Sequence, residues 1–196
     1  MKRCSPDNHK TNAGVTLLEL LIALAVAAIV ASLGAPAMAN FVIDNQIRNA
    51  SIDLRTSILR AKNEALAIPG RVSMCIANAE LTACAGEGSN WSAGWLIFVD
   101  SDNDLSYKNT GPDPERLIYV NNGLGDLAAP ASNGIGHALS FLGTGFTDDG
   151  TGQSISGTIV ICDERGIPGK SRDVSINALG RDSSAFPSAM ASTYCS

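Results

Sequence analysis

The chain has 196 residues, with 14 basic and 19 acidic side chains and a net charge of −5. That length holds one modest globular domain plus a long helix, and the acidic balance argues against a protein whose main task is to hold nucleic acid by its phosphates. Only two histidines are present, with no nucleophile elbow, clustered metal-ligand pattern or phosphate loop, so the expectation is a non-enzymatic protein needing no cofactor and no metal.

Met1 to Gly14 is polar and carries Lys2, Arg3 and Lys10 against Asp7, as suits a cytoplasmic anchor preceding a first membrane segment. Leu20 to Ala39 then runs twenty positions without a charge, which at ~1.5 Å per residue is long enough to cross a bilayer. Glu19 stands at the start of this run; a carboxylate costs roughly 2.5–3.5 kcal/mol at the bilayer centre and less near its surface. It therefore wants a partner or a place among the headgroups. Ala23, Ala25, Ala27, Ala28 and Ala31 are interspersed, and such small residues let helices approach one another closely.

Past Pro36 the apolar residues recur at Ile43, Ile47, Ala50, Leu54, Ile58, Ala61, Ala65 and Ile68, in steps of three and four. This spacing predicts a helix with one buried stripe, stopped by Pro69-Gly70. Val15 to Ile68 therefore reads as one helix, bent or loosened around Gly34 and Pro36. From Arg71 the pattern changes to period two, with strands expected over Arg71–Ile76, Gly94–Asp100, Arg116–Val120, His137–Leu142, Gly157–Cys162 and Arg172–Ile176. Leu105 to Pro114 and Asn121 to Gly136 read as loops. The architecture expected is α+β, with an antiparallel β head laid on the apolar stripe of the helix. A competing reading takes Leu20 to Leu33 as a signal-peptide core with cleavage after Ala39, releasing a secreted β domain. Glu19 and the continuation of the helix past the cut argue against it.

Gly14-Val15-Thr16-Leu17-Leu18-Glu19 resembles the processing signal of type IV pilins and pseudopilins, in which a prepilin peptidase cuts after the glycine. Val15 stands where phenylalanine is usual, and Pro36, 22 residues after Gly14, matches a helix-kinking proline of that family. The head is similar to the GspH/FimT family of minor pilins and minor pseudopilins through Gly94-Trp95-Leu96-Ile97-Phe98-Val99-Asp100 with Asp102 and Asp104, and through Val174-Ser175-Ile176-Asn177-Ala178-Leu179-Gly180-Arg181. The resemblance implies a leader at 1–14, a transmembrane and filament-core half-helix at 15–39, an amphipathic half-helix at 40–69 and a β-rich head at 70–196. It also implies methylation of the new N-terminus and a salt bridge made in the assembly between Glu19 and the Val15 amine of a neighbouring subunit. The partners implied are prepilin peptidase, the inner membrane and other major and minor pilins. The role implied is structural: priming a pilus or sitting at its tip, in support of adhesion and motility, with a pseudopilin of a type II secretion system and a DNA-binding pilin as alternatives.

Loss of the leader would remove Cys4 and leave Cys75, Cys84, Cys162 and Cys195, together with 11 basic and 18 acidic side chains. An even cysteine set beyond an export segment reads as disulfides in the periplasm. Three pairings are open, as are four buried thiols. Nearness in sequence favours Cys75 with Cys84, leaving Cys162 with Cys195.

Asp100, Asp102 and Asp104 have the odd-position spacing of a calcium loop, but Leu105 replaces the glycine and Gly111 the final glutamate of an EF-hand. A solvated turn is the expectation there. His137 stands alone beside a strand, and Trp91 and Trp95 read as packing residues. Some relatives bind DNA through a C-terminal Gly-Arg-x-Arg stretch. Here Gly180-Arg181-Asp182-Ser183 lacks the second arginine and gains a repelling carboxylate. Arg181, Arg172 and Lys170 are the candidate contacts, with Arg165 nearby, and Asp163, Glu164 and Asp173 balance them.

Overall fold

The computed structural model describes residues 15–132, 134–163, 170–185 and 195, without the side chains of Leu33, Ala35, Pro36 and Ala37. Two compact units are present, Met1–Phe41 and Val42–Ser196, and the helix α1, Leu17–Ala67, begins in the first and ends in the second. Its backbone is helical through Gly34 and the residues that follow. The side chain of Pro36, on which the expected kink rests, lies outside the described residues, as does Gly14.

In the second unit, α1 buries Ile47, Ala50, Leu54, Ile58, Ala61 and Ala65, each no more than 5% exposed. The three-and-four spacing puts these on one face. That face meets two antiparallel sheets. The first contains β1 (Arg71–Ile76), β2 (Trp95–Asp100), β3 (Leu117–Asn121), β6 (Ala138–Leu142) and β7 (Thr147–Asp148), ordered β3-β2-β1-β6-β7. The second is ordered β10-β9-β8-β4, with β8 at Gly157–Asp163, β9 at Ser171–Ile176, β10 at Asp182–Ala185 and β4 at Leu127–Ala128; β5, Ala131–Ser132, also pairs with β8.

Period-two alternation decides which side chains enter the core. Val72, Met74 and Ile76 of β1, Trp95 and Ile97 of β2, Ile159 and Ile161 of β8, and Val174 and Ile176 of β9 join the helix stripe in one cluster. The first sheet is apolar on its other face as well, where Cys75, Leu96, Phe98 and Ala138 gather Leu81, Leu105 and Tyr107 from the loops. Those loops are thus a second cover over the sheet. One is held by a disulfide between Cys75 and Cys84, and Cys84 Sγ accepts a hydrogen bond from Tyr107 N–H at 3.2 Å. A second disulfide joins Cys162 of β8 to Cys195. Closing the nine-residue separation of Cys75 and Cys84 constrains the unfolded chain by about 2.5 kcal/mol. Replacing both cysteines by alanine is expected to lower the unfolding free energy by about that amount, measured by denaturant titration of oxidised protein; an unchanged midpoint would refute it.

The expected loop from Asn121 to Gly136 needs correction. It contains β4 and β5, which pair with Asp163, Cys162, Ile159 and Thr158 of β8. Each is too short to show alternation, and Pro130 between them supplies only its carbonyl, to Val160 N–H at 2.9 Å. β7 and β10 escape the sequence pattern for related reasons: β7 has two residues, and β10 is a polar, largely exposed edge strand.

Candidate functional site

Two regions stand out, the N-terminal helix and the loops over the first sheet. In the first unit every large apolar side chain described from Val15 to Phe41 is at least 55% exposed, including Leu17, Leu18, Leu20, Leu21, Ile22 and Leu24. Glu19 is exposed in the same run, and its N–H donates to Thr16 Oγ1 at 3.2 Å, capping the first turn. Val15 lies just before the helix and is 71% exposed. Gly34 has open space where a side chain would project. Among the described residues no helix is long and apolar enough to cross a membrane; four side chains of the run expected to span lie outside the description.

In the second unit the two glycine-bearing motifs mark close approaches of backbone to backbone. Gly94, at φ +104°, faces Asn121 and Gly123: a Cβ there would lie 2.3 Å from the Asn121 carbonyl oxygen. The approach lets Leu124 N–H donate to Ser92 C=O and Ala77 N–H to Gly94 C=O, both at 2.9 Å. Trp91 and Trp95 are buried on either side of it, and Trp91 Nε1–H donates to Gly136 C=O. At the other motif the Asn177 side chain accepts from Leu179 N–H and Arg181 N–H. Lys62 of α1 reaches across to donate to the carbonyls of Leu179 and Gly180.

The candidate phosphate contacts sit in different surroundings. Lys170 is paired with Asp44 of α1. Arg172 lies within β9, opposite Ile161 of β8. Arg181 is exposed in the β9–β10 turn, and the next residue, Asp182, binds Arg55 at 2.6 Å. Arg165 and Glu164 lie outside the described residues. His137 is half-buried and contributes its carbonyl to Ile76 N–H.

The acidic loop after β2 is more ordered than a solvated turn. Asp100 is 2% exposed, and its Oδ2 accepts from Ser73 Oγ at 2.6 Å and Leu105 N–H at 3.2 Å. Asp102 and Asp104 are both paired with Lys108, whose hydrogen bond holds the Asp102 carboxyl below its ordinary pKa. Glu115 returns from the far end of the loop, accepting from Ser101 N–H at 3.0 Å and Lys108 N–H at 2.9 Å. Burial raises its carboxyl above the ordinary value; those two hydrogen bonds oppose the shift, and the negative charges of Asp100 and Asp102 add to it. Carboxylate oxygens of Asp100, Asp102 and Glu115 lie within 4.8 Å of one another. Sequence spacing could not select Glu115, which belongs to no recognised calcium-loop pattern.

The family model for the type II transport protein GspH matches residues 50–180, and that for the prokaryotic N-terminal methylation motif matches residues 9–35. No curated protein matches the chain. Among solved structures the chain is similar to the type IV minor pilin FimU of Pseudomonas aeruginosa strain PAO1 in two crystal forms. The P65 form aligns with a TM-score of 0.52 at 19% identity, over 76% of this chain and 99% of that one. The P21 form aligns with a TM-score of 0.52 at 20% identity, over 78% and 96%. Likeness at this identity establishes the pilin fold: a helix packed on antiparallel sheets. With the family model spanning the second half of α1 and both sheets nearly to β10, and the methylation motif at the start of the helix, the chain belongs to the GspH/FimT family of pilin-like structural proteins, the minor pilins and pseudopilins.

Proposed function

We propose that the chain is a minor pilin of a type IV pilus. In this reading it is an inner-membrane precursor with its head in the periplasm, cut after Gly14 by a prepilin peptidase and methylated at Val15. It then packs with other major and minor pilins through its N-terminal helix, in the priming complex or at the tip. The observation that carries this reading is the exposed apolar surface of the first unit. So much contiguous apolar surface requires lipid or other helices around it, and a filament of like helices supplies the second after the membrane supplies the first. Within such a bundle Glu19 would be a buried charge. Pairing with the Val15 amine of a neighbour satisfies it only in the correct register, because an unpaired buried carboxylate is strongly disfavoured.

Protein recovered from its native host is expected to begin at Val15 and to carry one added methyl group, read by N-terminal sequencing and intact mass. Glu19→Ala is expected to be processed normally yet to enter pili at a small fraction of the parental level. Normal incorporation of the variant would refute the assembly role of Glu19. A mature N-terminus at Asn40 would refute the filament reading altogether.

The description of the matched family favours a second reading, a minor pseudopilin of a type II secretion system. Deleting the gene separates the two: loss of surface pili supports the pilus, and loss of a secreted enzyme with pili intact supports the secretion system. DNA binding is disfavoured, since Lys170 is engaged by Asp44 of α1 and the chain is acidic overall.

A further inference from the structure

Within the second unit, helix α1 is apolar on two opposite faces, and only one of them is covered. At about 100° per residue, Ile52 points away from Ala50, Leu54 and Ala61, which are buried against the sheets. Ile52, Leu59 and Leu66 follow one another at seven-residue steps and so form a single row, 47%, 42% and 52% exposed.

The head extends this row. Leu66 lies against Gly145 of the β6–β7 turn, where an added methyl would meet its Cδ2 at 3.3 Å, and Gly180 of the β9–β10 turn closely approaches the Gly145 carbonyl. The residues next to those glycines, Phe146 and Leu179, are exposed. Of the seven large apolar side chains that the described residues of the second unit leave exposed, five belong to this row or to the two turns that abut it. Apolar surface gathered in this way marks a contact with another molecule, whereas scattered exposed leucines need no explanation. The surface is also preformed: Lys62 holds the carbonyls of Leu179 and Gly180, and Arg55 holds Asp182.

Two observations select the occupant. Exposed Arg48, Asp53 and Arg60 interrupt the row, which argues for protein against it, since charges are costly in hydrocarbon. The first unit leaves bare a helix with the same repeat, for Leu17, Leu24, Ala31 and Met38 also stand seven apart and exposed. Equal repeats let side chains of two parallel helices interdigitate, and a run without charge from Leu20 to Ala39 can lie on the row without burying an unpaired ion. We infer that Ile52, Leu59 and Leu66, with Leu179 beside them, seat the uncharged N-terminal helix of a neighbouring subunit, of the kind this chain carries at 17–41. The inference rests on the filament reading, in which all these helices run in one direction. It gives the head its own part in assembly, as the holder of a neighbour's helix.

The test is made on the full chain in its native host. Leu59→Glu puts a carboxylate at the centre of the row, which is expected to lower incorporation into filaments by about tenfold or more. Because the site is exposed, the Tm is expected to stay within about 2 °C of the parent, with the mature N-terminus still at Val15. Leu117→Glu, on the edge strand β3 and likewise exposed, is the control and is expected to enter filaments at the parental level. A photoreactive benzoylphenylalanine replacing Leu59 is expected to join the N-terminal helix of a neighbour, the adduct being located by mass spectrometry. Parental incorporation of Leu59→Glu would overturn the inference. So would an equal loss in Leu117→Glu, or adducts confined to lipid or to neighbouring heads. In each case a parent found in filaments leaves the proposed function standing; a parent absent from filaments overturns both.

Discussion

Gly94→Ala and Gly180→Ala are each expected to cost the head about 4 kcal/mol or more, enough to leave little folded protein at physiological temperature. At both glycines the closest atoms are backbone, although at Gly180 an added methyl would also come within 3.2 Å of the Phe141 ring. At Gly94 a methyl would sit 2.3 Å from the Asn121 carbonyl oxygen and 2.8 Å from Gly123 N, both of them backbone atoms, at a φ of +104° that side chains rarely adopt. At Gly180, with φ +64°, it would sit 2.3 Å from the Gly145 carbonyl oxygen. A flexible side chain could move aside; these strands cannot without breaking the turn hydrogen bonds that hold them. The control is Gly152→Ala, at a similarly positive φ of +95° but with nothing within 4 Å, which isolates the conformational part and is expected to cost about 1–2 kcal/mol. Denaturant unfolding of the three variants gives the comparison. Equal costs at Gly94 and Gly152 would show that the close approach is unimportant.

These two positions also show how sequence and structure divide the information. Gly94-Trp95 and Gly180-Arg181 carried the family resemblance, yet nothing in their spacing said which backbone they approach; that follows only once β3 and the turn before β7 are placed. The buried stripe from Ile47 to Ala65 was legible because six helical positions repeat at three and four, and the longer strands because apolar residues alternate, as in β1, or run unbroken, as in β2 and β8, over enough positions to show. β4, β5 and β7 have two residues each, too few for any period to emerge. β10 is polar and owes its form to the edge of β9. Glu115 was invisible for a different reason. Its place beside Asp100 depends on a loop whose anchors, Leu105 and Tyr107, sit on the outer face of the first sheet, a long-range contact that no local spacing marks.

The last expected result concerns that same face. Arg71 begins β1, 8% exposed, and its Nη1 lies 2.7 Å from Oδ1 of the fully buried Asp148, an ionic contact without hydrogen-bond alignment. Asp148 Oδ1 also receives Gly150 N–H at 2.7 Å, while Asp148 Oδ2 and Arg71 Nε have no hydrogen-bond partner. A pair so incompletely satisfied recovers little of its desolvation cost, but removing one member leaves the other charged and buried. Asp148→Ala is therefore expected to destabilise the head by about 3–5 kcal/mol. Adding Arg71→Met to that variant is expected to restore part of the loss, because the stranded guanidinium is gone and the methionine can pack on Leu142, its cross-strand neighbour. The double variant should therefore be more stable than Asp148→Ala alone, although it has lost two native side chains instead of one. Losses that simply add would mean that the two charges do not sense each other, and that β7 is held to the sheet by its backbone ladder with Ser140 and Phe141 rather than by this pair.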